Sequence, residues 1–257
     1  MIGDLQQKLM GSAKVDHIIG MGTPHEDPDV SIIVPLYRVL GFLRAQVGAF
    51  ACDPWVAKNC DLIFVLDSPE QVEECEHLLR GLHILYGVPM RLVVMTRNGG
   101  YARACNAGAE VARSHLLAML NSDVIPHTPG WAQGLASKMG GPQEVAAVGP
   151  KLLFEDGSIQ HAGMYFAPNE SGKWLNYHYH KGMPDQYRDA NVERSVPGVT
   201  GACMMLHRDA FNEVGGFTED YVIGDYEDSD LCLKIRQADF DIKYIPDVSL
   251  YHFERKS

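Results

Sequence analysis

The sequence lacks any run of about 18 consecutive apolar residues, the length that a helix needs to cross a bilayer. Its first residues, Met1 to Met10, have neither the cationic start nor the apolar block of a secretory signal. The six cysteines are scattered and form no Cys-x-x-Cys pair, which argues against a zinc site and a disulfide framework. These absences predict a cytoplasmic protein without a transmembrane segment, for which peripheral association with the inner face of a membrane stays open.

Positive charge is also scarce. The chain has 22 Lys and Arg against 33 Asp and Glu, a formal net charge of −11 over 257 residues. A general nucleic-acid binder needs a surplus of cations to meet the phosphates, so we expect no nucleic-acid partner. A phosphate-bearing ligand would need local cations or a bound metal to overcome this background field.

The first half of the chain repeats a strand-then-helix pattern. Short apolar runs rich in branched residues predict buried strands, and turn formers separate each of them from a segment of helical spacing. The predicted strands are Val30–Leu36, Asp61–Leu66, Met90–Met95 and His115–Leu120, and the predicted helices are Gly41–Phe50, Pro69–Leu82, Ala102–Ser114 and Trp131–Met139. The pattern indicates an α/β fold with a Rossmann-like, mostly parallel central sheet flanked by helices.

Polar residues follow each of these strands. They are Pro35–Tyr37, Asp67, Arg97–Gly100 and Asn121–Asp123. Ligands of open parallel sheets bind at the carboxyl ends of the strands, so we expect these four segments to surround one crevice.

The second half follows a different pattern. Lys151–Phe154, Gly157–His161 and Met164–Phe166 read as short strands, and Asp241–Ile245 and Val248–Tyr251 read as edge strands. Residues 167–197 have no clear period, which predicts a long surface excursion that covers a substrate. Its aromatic residues, Trp174, Tyr177, Tyr179 and Tyr187, suit either an acceptor surface or ordinary loop packing.

We therefore divide the chain into a peripheral N-terminal segment, residues 1–28, and a single domain, residues 29–254. Within the domain, residues 29–124 form the predicted nucleotide-binding half and residues 125–254 a smaller, mixed acceptor and catalytic half.

Three places carry residue types suited to catalysis. Asp123, after a buried strand, can bind a hard divalent cation, although such acids also serve as caps or turns. The acidic run Asp225–Asp230 suits either the start of a helix, which the dipole favours, or a general base in a cleft. His252 is either a metal ligand or an ordinary surface histidine. Asn98–Gly100 lacks the Lys of a P-loop and the third Gly of a dinucleotide fingerprint, which argues against an ATPase and a nicotinamide enzyme.

The order of motifs adds a resemblance. The motifs are Ser31–Pro35 with Tyr37, Asp67, Asn98–Gly108, Leu120–Asp123, Pro129–Trp131, Gly149–Lys151, Gly157–Gly163, Gly201–Met205, Gly215–Phe217, Tyr226–Leu231 and Tyr251–His252. In this order they resemble the family 2 glycosyltransferases of the GT-A fold, in particular the rhamnosyltransferase-like enzymes that build bacterial surface glycans. The similarity runs from about residue 30 to residue 254.

The resemblance implies a set of donor contacts. Pro35 and Tyr37 would line a nucleobase pocket, and Asp67 would hydrogen-bond the base. Arg97 and Asn98 would lie near the base and ribose, with Arg97 as an extra cation. Gly201 and Ala202 would let the backbone approach the donor sugar.

It also implies the metal and catalytic residues. Asp123 would be the metal-binding acid of the family's DXD-type motif, and His252 would complete the metal shell. Asn121 replaces the first acid of that motif, a departure that removes one negative charge. Asp228 would be the catalytic base, and Glu227 beside it would shape the acceptor or donor site.

These expectations describe an inverting glycosyltransferase that depends on Mn²⁺ or Mg²⁺. It would move a sugar from a UDP-, dTDP- or GDP-sugar to a hydroxyl of a glycan, a lipid-linked glycan or another acceptor. A nucleotidyltransferase is an alternative, but it would need a glycine-rich basic loop that Pro35-Leu36-Tyr37-Arg38 does not supply. A catalytically inactive glycosyltransferase-like module of a larger protein is the other alternative.

Overall fold

The computed structural model describes residues 13–141, 144–221 and 226–254. The strands are β1 (Val15–Met21), β2 (Val30–Leu36), β3 (Cys60–Leu66), β4 (Met90–Met95), β5 (Leu116–Leu120), β6 (Val124–Pro126), β7 (Val145–Leu153), β8 (Ile159–His161), β9 (Met164–Pro168), β10 (Trp174–His178), β11 (Arg194–Ser195), β12 (Cys203–His207) and β13 (Asp241–His252). The α-helices are α1 (Leu43–Cys52), α2 (Pro54–Asn59), α3 (Val72–Tyr86), α4 (Gly100–Val111), α5 (Trp131–Ala136), α6 (Arg208–Glu213) and α7 (Glu227–Gln237), with 3₁₀ turns at Pro69–Gln71 and Arg188–Ala190.

The main sheet has the order β1-β4-β3-β2-β5-β12-β7-β13-β11. Strands β4, β3, β2 and β5 are parallel, and β13 is parallel to β7. Strand β12 runs antiparallel to both of its neighbours, β5 and β7. The prediction of an α/β fold with a mostly parallel central sheet is confirmed.

Two hydrophobic clusters cover the two faces of this sheet. Along β2, Ile32 and Val34 belong to one cluster and Ile33 to the other, as the alternation of side chains in a strand requires. Helices α1, α2, α3 and α5 pack into the first cluster, whereas α4, α6 and α7 pack into the second. The strands between them are buried on both sides, which is why they read as continuous apolar runs.

The structure corrects several sequence predictions. Residues 15–21, in the segment predicted to be peripheral, form the antiparallel edge strand β1, and so extend the sheet before residue 29. The two predicted edge strands near the C-terminus are one strand, β13, which lies inside the sheet between β7 and β11. The excursion at residues 167–197 contains strand β10, which pairs with β9 in a hairpin. Helix α2 was not predicted, although the Asp53 side chain caps it by accepting hydrogen bonds from the backbone of Trp55 and Val56.

Some predictions fall outside the described part of the chain. These are residues 1–12 of the N-terminal segment and Asp225 of the acidic run. Across residues 13–141, 144–221 and 226–254, no helix combines the length and the apolar character that a membrane span requires.

Candidate active site

Most of the predicted functional residues meet at one edge of the sheet. Strands β2, β3, β4, β5, β7 and β13 end at this edge, and the reversed strand β12 begins there. Two neighbouring cavities open along it. We call the one beside Pro35 and Asp67 the smaller cavity, with a volume of about 290 Å³, and the one beside Asp228 and His252 the larger cavity, with a volume of about 440 Å³. Tyr101 and Asn121 contribute to the walls of both, so the cavities adjoin.

The smaller cavity collects most of the predicted nucleotide contacts. Its wall includes Pro35, Tyr37, Asp67, Asn98 and Asn121. Arg97, predicted to lie near the base and ribose, is an exposed residue that lines neither of the two cavities. The four strand ends expected to surround one crevice therefore do so, although Arg97 and Asp123 line neither of the two cavities.

Asp67 holds the wall of the smaller cavity together. Its two carboxylate oxygens accept hydrogen bonds from the backbone N–H groups of Gly99, at 2.7 Å, and Gly100, at 2.9 Å. The Asn98 side chain also accepts a bond from Gly100, which adopts φ of +82°, a conformation that suits glycine. Burial raises the pKa of the Asp67 carboxyl to about 6, even though both amide hydrogen bonds favour the charged form.

The turn after β5 is fixed from two directions. The Gln46 side chain donates to the backbone oxygens of Asn121 and Val124, each at 2.9 Å. The Asn121 N–H donates to the Ala202 oxygen at 2.9 Å. Within the part of the chain that the structure describes, the buried side-chain oxygen of Asn121 has no hydrogen-bond partner. An acceptor left in this state at the junction of the two cavities suits a ligand that brings a donor or a cation.

A short strand pair brings Asp123 and His252 together. Strand β6, directly after the turn, pairs with the end of β13 so that Val124 lies opposite His252. The Phe253 N–H donates to the backbone oxygen of Asp123 at 3.0 Å and extends this pairing. As a result, the His252 Nε2 atom lies 3.4 Å from Oδ1 of the buried Asp123. The predicted metal residues are neighbours in space although 129 positions separate them in the chain.

A contact between the other ring nitrogen and Gln160 orients the His252 ring. Its Nδ1 atom lies 2.6 Å from the side-chain oxygen of Gln160, which only accepts hydrogen bonds. An Nδ1–H that donates to this oxygen orients the ring so that Nε2 faces the Asp123 carboxylate. This is the arrangement in which histidine binds metals, with the second nitrogen donating to a protein oxygen. Among the described residues, no group of three or more His, Cys, Asp or Glu side chains is arranged to hold a metal ion. The Asp123 carboxylate, the His252 ring nitrogen and the side-chain oxygen of Asn121 are donor types that would suit a divalent cation.

Asp228 lies in the first turn of α7 and lines the larger cavity. One carboxylate oxygen accepts the N–H of Gly201 at 2.9 Å, and the other accepts the N–H of Ser229 at 2.6 Å. Burial raises the pKa of the Asp228 carboxyl, against the effect of these hydrogen bonds. Glu227, which precedes it, is buried and also lines the larger cavity.

The loop before β12 needs its glycine. Tyr101 donates its hydroxyl to the Gly201 oxygen at 2.9 Å. A β-carbon at Gly201 would lie 2.8 Å from the Tyr101 hydroxyl oxygen and 3.2 Å from the Asp228 β-carbon. Gly201 and Ala202 both line the larger cavity, and only a residue without a side chain fits between Tyr101 and Asp228 at position 201.

Comparison with known families decides the relationship. The profile described as "Glycosyl transferase family 2" matches residues 31–215, which is most of the chain. The chain belongs to glycosyltransferase family 2. A second profile, described as "N-terminal domain of galactosyltransferase", matches residues 182–256.

Relatives of the chain include longer proteins. The uncharacterized protein y4gI of Sinorhizobium fredii is 29% identical over 90% of this chain and 25% of its own length. The O-antigen biosynthesis protein RfbC of Myxococcus xanthus is 31% identical over 90% of this chain and 18% of its own length. The pre-mycofactocin glycosyltransferase of Mycobacterium tuberculosis is 26% identical over 88% of this chain and 43% of its own length. The chain thus spans less than half of each of these three relatives.

Two solved structures share the fold. The structure of GalNAc-T7 with UDP, GalNAc and Mn²⁺ matches with a TM-score of 0.68 and 16% identity, over 90% of this chain and 45% of that one. The mannosyltransferase PcManGT from Pyrobaculum calidifontis, in complex with GDP-Man and Mn²⁺, matches with a TM-score of 0.64 and 16% identity, over 98% of this chain and 64% of that one.

This family 2 site contains residues to which the sequence analysis assigned no role. Asn176, His178, Lys181 and Glu254 line the larger cavity, together with Gln160 and Tyr226. The first three belong to the excursion at residues 167–197, whose pairing into a hairpin was not predicted. Alternation of polar and apolar residues over Trp174–His178 was the available signal for strand β10.

Proposed function

We propose that this domain is an inverting glycosyltransferase that depends on a divalent metal ion. It moves a sugar from a nucleoside-diphosphate sugar to a hydroxyl of a glycan or lipid-linked glycan. One observation carries the proposal: Asp228 and His252 line the same cavity, His252 contacts Asp123, and the smaller cavity adjoins this site. The family assignment contradicts the nucleotidyltransferase alternative.

We assign the nucleoside of the donor to the smaller cavity, and its diphosphate and sugar to the larger cavity. The nucleoside lies in the smaller cavity, between Pro35, Tyr37 and Asn98, with Asp67 accepting a hydrogen bond from the base. The diphosphate and sugar lie past Asn121, along the Gly201–Ala202 backbone. The nucleotides in the two structural neighbours, UDP and GDP-Man, support this class of donor.

Asp123 and His252 are the residues that would hold the cation, with the Asn121 side-chain oxygen as a further ligand. The chemistry that a divalent cation supplies, when bound here, is neutralisation of the negative charge that develops on the departing nucleoside diphosphate. The net charge of −11 makes such local compensation necessary for an anionic donor. Mn²⁺ in both structural neighbours supports Mn²⁺ as one candidate.

Asp228 acts as the general base. The acceptor hydroxyl transfers its proton to the Asp228 carboxylate while its oxygen forms a bond to the anomeric carbon. The bond from that carbon to the diphosphate oxygen breaks, and the nucleotide leaves with the electron pair. One carboxylate suffices for this direct displacement, which inverts the anomeric configuration. A base whose pKa is raised by burial accepts a proton more readily in the transition state.

Nucleotide binding tests the donor assignment. Ligands that bind only the folded state raise the apparent melting temperature in proportion to the logarithm of their concentration over Kd. We expect at least one of UDP, dTDP and GDP to raise the melting temperature of the full chain, and to raise it further when Mn²⁺ is present. The measurement is a thermal-shift series with and without Mn²⁺ and EDTA. The same series with the cognate sugar nucleotides then identifies the donor for transfer assays. No shift with any of the three nucleotides contradicts the proposal.

The pH dependence of nucleotide binding tests the role of Asp67. With a pKa of about 6, the carboxyl is charged above pH 6 and neutral below it. A charged acceptor makes the stronger hydrogen bond, so we expect Kd for the best nucleotide to rise about tenfold between pH 7.5 and pH 5. Isothermal titration at four pH values measures this. Asp67→Asn is the matched control, because any pH dependence it retains comes from the phosphates of the ligand. Equal pH dependence in both proteins contradicts the assignment.

A further inference from the structure

The hairpin of β9 and β10 has two chemically different faces. Side chains alternate along β10, so Trp174, Asn176 and His178 share one face, and Leu175 and Tyr177 share the other. The register places Trp174 opposite Pro168 and Asn176 opposite Phe166. Directly opposite residues lie on the same face of an antiparallel pair. We call the face with Trp174 and Asn176 the cavity face.

Most of the other aromatic residues of the excursion pack against protein. Tyr165 stacks on Tyr177 with ring centroids 5.4 Å apart and contacts Tyr179 at 4.7 Å. The Arg194 guanidinium lies 5.1 Å from the centre of the Tyr179 ring. Ordinary packing therefore accounts for these tyrosines. It does not account for Trp174, whose surface is 67% exposed on the cavity face.

The cavity face is anchored beside the candidate base. The Asn176 side chain donates to the Ser229 hydroxyl at 2.9 Å, and Ser229 directly follows Asp228 in α7. The Nδ1 atom of His178 lies 3.0 Å from Nδ1 of the buried His161. Asn176 and His178 both line the larger cavity. The face that carries Trp174 is therefore continuous with the wall of that cavity and held in a fixed position.

Trp174 extends this wall outward. A strand rises about 3.4 Å per residue, so Trp174 lies about 7 Å beyond Asn176 and about 14 Å beyond His178. Asn176, His178 and Lys181 offer hydrogen bonds of the kind that sugar hydroxyls make, and an exposed indole offers an apolar surface for the face of a sugar ring. Together they form a polar pocket that opens onto an aromatic platform.

We propose that the acceptor is an oligosaccharide whose reacting sugar enters the larger cavity and whose next sugar stacks on Trp174. This inference rests on the proposed glycosyltransferase function and defines its acceptor class. A lipid surface is the competing occupant of an exposed tryptophan. The turn beside Trp174 is polar and carries one acidic and one basic residue, Glu170 and Lys173. Membrane-binding surfaces instead combine several apolar residues with an excess of cations. The surroundings of Trp174 therefore favour a sugar.

The experiment compares acceptors of different length. The full chain and its variants are assayed with the labelled sugar nucleotide that the wild type uses, on a panel of p-nitrophenyl mono-, di- and trisaccharides. For the preferred oligosaccharide we expect Trp174→Ala to raise KM about tenfold and to leave kcat within about twofold. KM for the corresponding monosaccharide stays unchanged. Trp174→Phe, which keeps an aromatic ring, restores most of the oligosaccharide affinity.

Leu85→Ala is the matched control. Leu85, 69% exposed on α3, loses a similarly exposed apolar side chain but lines neither cavity, so its kinetics should equal those of the wild type. Unchanged melting temperatures establish that the variants are folded.

The other outcomes separate the two proposals. If the wild type transfers sugar but Trp174→Ala alters KM equally, or not at all, for mono- and oligosaccharides, stacking at Trp174 is contradicted while the function stands. If Trp174→Ala loses only binding to phosphatidylglycerol vesicles, a membrane contact replaces the sugar contact. Absence of transfer from every donor by the wild type contradicts the proposed function itself, and the acceptor inference with it.

Discussion

Replacing Asp228 with Asn is expected to lower kcat for sugar transfer by about 10²- to 10⁴-fold, because the acceptor hydroxyl loses its base. Nucleotide affinity should change little, since Asp228 lines the larger cavity and not the smaller one. Steady-state transfer kinetics and a nucleotide thermal shift measure the two quantities. An inactive glycosyltransferase-like module would show no turnover in the wild type and hence no loss in the variant.

The Asp228 variant needs two controls. An Asn amide cannot accept from both the Gly201 and the Ser229 N–H groups as the carboxylate does, so the melting temperature must be recorded to exclude a displaced loop. Asp230→Asn removes a carboxylate two residues away, which accepts a hydrogen bond from Thr218 at 2.6 Å and lines neither cavity. We expect it to reduce kcat less than tenfold. Comparable losses in the two variants contradict the assignment of Asp228 as the base.

Removing either predicted metal ligand is expected to have the second large effect. His252→Ala or Asp123→Ala should raise the Mn²⁺ concentration for half-maximal transfer by more than about 100-fold. Both should also abolish the additional thermal shift that Mn²⁺ gives in the presence of nucleotide. Gln160→Leu leaves both ligands in place but removes the acceptor that fixes the His252 ring. Such indirect partners contribute about 10- to 100-fold to metal affinity, so this variant should lie between the wild type and His252→Ala.

The thermal shift is decisive here because it does not depend on turnover. The melting temperature of the wild-type protein with nucleotide and EDTA gives the reference for nucleotide binding without metal. A variant in which His252 is absent and the Mn²⁺-dependent shift is unchanged would show that His252 is not a ligand. A shift lost equally with and without Mn²⁺ would instead indicate damage to the nucleotide pocket.

Much of this fold was predictable because the signals were local. Strands β2 and β4 have the predicted bounds, Val30–Leu36 and Met90–Met95. Both are short, largely apolar runs that are buried along most of their length. The rule that ligands bind at the carboxyl ends of parallel strands then brought Tyr37, Asp67 and Asn121 to one place, and the structure agrees.

What the sequence could not supply was pairing between distant segments. Nothing local to Asp241–His252 says that it forms one interior strand, because the pairing of β13 with β7 and β6 decides that. The same pairing determines how close His252 lies to Asp123. The alternation within Trp174–His178 could indicate a strand, but not its partners: the pairing with β9 and the hydrogen bond from Asn176 to Ser229 are contacts between distant segments. Helix α2, in contrast, has a local signal in Asp53-Pro54, a capping residue followed by proline at the first helical position.

The reversal of β12 has a consequence for how such enzymes diversify. The chain runs from Leu153, at the end of β7, to Cys203, at the start of its hydrogen-bonded neighbour β12, through a stretch that adds the short strands β8 and β11 to this sheet. The two ends of this stretch lie side by side, so it can be exchanged without altering the order of the strands from β1 to β13. That stretch carries the hairpin, whereas Asp67 and Asp123 come from outside it. We therefore expect chimaeras that exchange this stretch between relatives to take the acceptor specificity of one parent and to keep the nucleotide specificity of the other.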